Sequence, residues 1–129
     1  MDILEMIDGN GVAYGTYHWE TTYPQQKCAY PAGHERVFGS QTMPSDWASN
    51  FHEYAVEHSA THVAFVYDGV TILNSSTTAP APTPEFWPVP FYLILNTAIG
   101  GSWPGNASST TVFPTQHTID YVRVVVAAT

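Results

Sequence analysis

Along this chain, apolar positions either alternate with polar ones or bunch into short apolar runs of six to eight residues, and turn-forming residues separate the runs. The pattern reads as β-strands at residues 12–19, 52–57, 62–67, 91–98 and 119–126. Between them lie Asp8-Gly9-Asn10-Gly11, Pro31-Ala32-Gly33, Asp68-Gly69 and Gly100-Gly101, an even punctuation that fits a sandwich or a barrel. Apolar runs flanking Asp68-Gly69 predict a hairpin there. Residues 74–90 hold five prolines, which fix φ and remove ladder donors, so this stretch is expected to be an irregular connection.

Two segments need closer reading. In 91–98, alternation places Phe91, Leu93, Leu95 and Thr97 on one face, expected to be core, and Tyr92, Ile94, Asn96 and Ala98 on the other. A polar Asn among apolar neighbours suits a wall that meets a cleft, or an amide bonded to a neighbouring loop. At the N-terminus, Ile3, Leu4 and Ile7 with Asp2, Glu5 and Asp8 fit a short amphipathic helix by period. A strand with a bulge between Asp2 and Glu5, which brings both acids to one face, fits equally well. The residues alone leave both open.

Composition sharpens the β reading. Thr, Val, Tyr, Phe and Ile together number 47 of 129 residues, whereas Leu, Lys and Arg number 7. Only 11% of residues are charged, and the net charge is −8 with three cations. So few cations cannot neutralise a phosphate backbone, and neither nucleic acid nor an anionic membrane is expected as a partner. No window approaches a membrane span, and no basic segment followed by an apolar run opens the chain, so neither anchor nor signal peptide is expected within it. Two Asn-Xaa-Ser sequons, at Asn74 and Asn106, suit a secreted chain but also arise by chance. Cys28 is the single cysteine and is read as an inert thiol, or as a partner for a cysteine outside these residues, rather than as a nucleophile. His58 and His62 stand four apart, but the residues between them read as a turn and no third ligand is suitably spaced, so no zinc site is expected.

The run Asp2-Ile3-Leu4-Glu5, followed by Gly15-Thr16-Tyr17-His18-Trp19, resembles the active-site strand and succeeding strand of glycoside hydrolase family 16, the laminarinase-like β-glucanases. Further stretches match in order: residues 51–57, the hairpin through Tyr67-Asp68-Gly69, residues 90–105 and the closing run 119–124. The resemblance decides for the bulged strand. It implies an all-β, concanavalin A-like jelly-roll sandwich of two bent antiparallel sheets, with a cleft for a glucan chain on the concave face. It also implies retaining hydrolysis of internal β-1,3 or mixed β-1,3/1,4 linkages, with Glu5 as general acid/base and Asp2 as the helper carboxylate.

In the family pattern the nucleophile lies two residues before the Asp, one position ahead of Met1. Residues 1–129 are therefore expected to be the C-terminal part of a family domain, starting within the catalytic strand and impaired as a hydrolase on their own. A noncatalytic glucan-binding remnant, or a fragment without function, is the alternative expectation. By the same resemblance His18 is expected to face the cleft near Glu5, where it hydrogen-bonds a substrate or tunes the acid, while Trp19 packs inward or at the rim. Trp103, in a glycine-flanked loop, is a candidate platform for the apolar face of a sugar ring, and Asn96 a candidate polar contact. Trp47 and Trp87 are read as packing residues. The partner implied is a neutral β-glucan, with no cofactor, a monomeric state and an extracellular location.

Overall fold

A computed structural model describes residues 1–7, 9–20, 34–59, 62–75 and 90–126. Cys28, Trp87, the Pro31-Ala32-Gly33 turn and most of the proline-rich connection lie outside the described residues. The chain divides into two units, Met1–Tyr92 and Leu93–Thr129.

The first unit is built from two three-stranded antiparallel sheets. One has the order β1 (Asp2–Glu5), β2 (Val12–Glu20), β3 (His34–Thr42). The other runs β4 (Tyr54–His58), β5 (Val63–Tyr67), β6 (Val70–Asn74). The chain is all-β, and these stacked sheets form part of a sandwich. Period two explains how they stack: Ala13 and Tyr17 of β2 turn inward and meet Val63, Phe65 and Tyr67 of β5, with Leu73 of β6 and Met43 completing the buried core. Trp19, Trp47, Val37, Tyr54 and Val56 pack around it, so Trp19 faces inward and Trp47 is a packing residue, as expected.

Two glycines let the sheets approach. A Cβ on Gly15 of β2 would lie 2.8 Å from both Phe65 Cγ and the Tyr67 hydroxyl, and one on Gly39 of β3 would run into the Ile72 carbonyl of β6. The β5–β6 hairpin closes over two residues, Tyr67 pairing with Val70. Both central residues have positive φ, Asp68 at 47° and Gly69 at 78°, the geometry that suits the twist of the flanking strands.

Residues 91–126 correct the sequence reading. Neither 91–98 nor 119–126 is a strand, and no described ladder includes them. Phe91, Leu93 and Leu95, expected as core, are each more than half exposed, and Val122, Val124 and Val126 are exposed as well. A strand exists only as one member of a hydrogen-bonded pair, and alternation supplies the side chains of that pair without supplying the partner. Within the second unit, Thr97 Oγ1 and His117 Nδ1 are 3.1 Å apart, and the Arg123 guanidinium lies 5.9 Å from the centre of the Tyr121 ring.

Candidate active site

The β1–β2 register settles the N-terminal ambiguity. Asp2 stands opposite Thr16 and Glu5 opposite Tyr14, so three steps on β1 span two on β2. Ile3 and Leu4 together face Gly15, which is a bulge, and the odd sequence separation of the acids becomes an even one across the ladder. Asp2 and Glu5 therefore share the face of Tyr14, Thr16 and His18, opposite to the core face of Ala13, Gly15 and Tyr17.

The next strand extends this face. Tyr14 pairs with Ser40, Thr16 with Phe38 and His18 with Arg36, so cross-strand rows run Glu5–Tyr14–Ser40 and Asp2–Thr16–Phe38, with Arg36 beside His18. Phe38 is 52% exposed on this face, and the Arg36 guanidinium sits 5.3 Å from its ring centre.

The polar contacts are directional. His18 Nε2 lies 2.9 Å from Asp2 Oδ2, and His18 Nδ1 lies 2.8 Å from Nε2 of His34, whose ring stacks on it at 4.9 Å. Burial, opposed by the Asp2 charge and assisted by His34, holds His18 below its ordinary pKa. A neutral His18 with its proton on Nε2 satisfies both contacts: Nε2–H donates to Asp2, and Nδ1 accepts from His34 Nε2–H. The Thr16 hydroxyl donates to Glu5 Oε2 at 3.4 Å. Burial and then the neighbouring Asp2 charge raise Glu5 from its ordinary pKa, against the opposing pull of Thr16 and Arg36. An upward shift is the direction in which a proton-donating carboxyl is tuned.

Of the residues singled out from sequence, Asp2, Glu5 and His18 come together, with His18 on Asp2 rather than on Glu5. Asn96 and Trp103 belong to the second unit, both exposed, Trp103 within a loop closed by the Gly105 N–H donating to the Gly101 carbonyl at 2.9 Å. His34, Arg36 and Phe38 were not foreseen, because β3 was not. The period-two series Arg36, Phe38, Ser40 was the available signal, weakened by the glycine inside the strand.

The first unit is thus part of a β-sandwich that carries two carboxylates, Asp2 and Glu5, on one face. The family profile of Glycosyl hydrolases family 16 matches residues 7–123, and the chain belongs to that family. It is 32% identical over 131 residues to a Beta-glucanase of Rhodothermus marinus, covering 96% of this chain and 43% of that protein. It is also 30% identical over 110 residues to the Clotting factor G alpha subunit of Tachypleus tridentatus, covering 85% of this chain and 15% of that protein. The chain thus spans less than half the length of either relative. No solved structure matches it significantly.

Proposed function

We propose that the face bearing Asp2 and Glu5 belongs to a β-glucanase that cleaves internal β-1,3 or mixed β-1,3/1,4 linkages with retention. The observation that carries this reading is the bulge, which sets two carboxylates on one face with Glu5 tuned upward. The family match begins at Ile7, so the roles of these two acids rest on the strand motif and its geometry. Glu5 donates a proton to the leaving oxygen and later activates water. Asp2, held by His18, stands beside Glu5, where burial first and then the Asp2 charge raise the Glu5 pKa. Retention requires a second working carboxyl about 5 Å away as nucleophile. In the family strand that position is two before Asp2. Within the first unit, Phe38, about half exposed on the face of Asp2 and Glu5, offers its ring to the C–H face of an uncharged sugar; Trp103 and Asn96, exposed on the second unit, are separate candidates for a sugar contact.

The test compares the 129-residue chain with a version carrying a glutamate two positions ahead of Asp2, on laminarin, mixed-linkage glucan and cellulose. The extended form should release reducing ends from the first two, and Glu5→Gln in it should lower turnover about 100-fold or more. Turnover that survives Glu5→Gln, or family-typical turnover by the unextended chain, contradicts the reading. Binding of laminarin without turnover in either form would favour a glucan-binding role instead.

A further inference from the structure

A bulge is a weak point in a ladder, because the extra residue leaves backbone groups without their strand partner. Here the bulge lies on the strand that carries both acids, and the group that answers it comes from the other sheet. Tyr67 of β5, wholly buried, donates its hydroxyl to the carbonyl of Ile3. It reaches that carbonyl through the gap left by Gly15, the residue that Ile3 and Leu4 jointly face, where a Cβ would sit 2.8 Å from the phenol oxygen. Glycine, bulge and phenol thus coincide at one point.

We infer that Tyr67 is a positioning residue: its hydroxyl bond to Ile3, made through the opening at Gly15, holds the bulge and thereby keeps Asp2 and Glu5 on one face. Burial pushes the phenol far above its ordinary range, so it stays a donor wherever the carboxylates titrate. The inference rests on the reading of Asp2 and Glu5 as the working acids. Its test needs no turnover, so the two can fail separately.

The readout is the titration of Glu5, followed by carboxyl carbon resonances in the 129-residue chain. Facing Glu5 are Asp2 and the Met1 ammonium on its own segment, Thr16 from β2, Arg36 from β3 and Tyr67 from β5. Across the carboxyl range the phenol is uncharged, so removing its hydroxyl takes no charge away from Glu5. Tyr67→Phe keeps the ring and should move the Glu5 midpoint down toward that of an ordinary glutamate. Tyr54→Phe is the control. Its ring packs edge-on against Tyr67 at 5.0 Å, but its hydroxyl meets Met6 Sδ at 3.9 Å rather than the Ile3 carbonyl, and it should leave the titration unmoved. In the unsubstituted chain the Tyr67 hydroxyl proton should exchange slowly and show a cross-peak to the Ile3–Leu4 backbone. An unshifted Glu5 in Y67F, an equal shift in Y54F, or no such cross-peak overturns the inference. Should Y67F fail to fold, the cross-peak alone decides.

Discussion

The two units carry the same kind of sequence and treat it differently. In Met1–Tyr92, alternating residues are paired across ladders, and Val63, Phe65 and Tyr67 lose all their exposure. In Leu93–Thr129, Leu95, Val122, Val124 and Val126 alternate just as cleanly and stay exposed. The difference is a partner. Period two specifies which side chains would face a core, whereas hydrogen-bonded neighbours and an opposing sheet decide whether there is one.

Core truncation tests this contrast most severely. Phe65→Ala should cost about 3–5 kcal/mol and remove any cooperative melt, while Leu95→Ala should change stability by less than about 0.5 kcal/mol. Urea denaturation of both variants checks it, and equal losses would erase the distinction between the units. A smaller effect sharpens the account of the paired unit. Gly39→Ala places a methyl group against the Ile72 carbonyl where β3 crosses β6, and should cost about 1–3 kcal/mol, since backbone cannot swing aside. Gly9→Ala, with open space around its Cβ, should cost about 1 kcal/mol through its positive φ alone.

The smallest effect is on pH dependence. Glu5 is raised in the folded chain, so its protonated form favours the fold below the ordinary carboxyl range, and that contribution is lost as pH rises through the folded value. Glu5→Gln should therefore melt about 1–2 °C higher than the parent at pH 7 and match it near pH 3. Calorimetry at the two pH values measures the difference, and a variant less stable at pH 7 would mean Glu5 is stabilising as an anion.

How much of this was legible beforehand varies by element. β2, β5 and the Asp68-Gly69 hairpin follow from strong local signals, and β4 differs from its expected span by a residue or two. The bulge in β1 was one of two readings until the family strand selected it, because four residues cannot separate a helical period from an irregular strand. β3 was missed: His34, Glu35, Arg36, Ser40 and Gln41 make it polar, and its nine-residue pairing with β2 is a tertiary fact. The site inherits that asymmetry. Asp2, Glu5 and His18 come from the strands that were visible, whereas His34, Arg36 and Phe38 come from the one that was not.

The hairpin turn also bears on how the chain ages. Asp-Gly pairs are prone to isomerise, because the unhindered glycine nitrogen can attack the aspartyl carboxyl and close a succinimide ring. At Asp68 that carboxyl is committed elsewhere: His52 Nδ1 lies 2.7 Å from one oxygen, and the Glu53 N–H donates to the other at 3.0 Å. Although burial acts the other way, these two contacts hold Asp68 below its ordinary pKa and keep it the unreactive carboxylate. The clasp that joins the hairpin to the entry of β4 is therefore also chemical protection, and His52→Ala should let isoaspartate accumulate at Asp68 several-fold faster in peptide maps of stored protein.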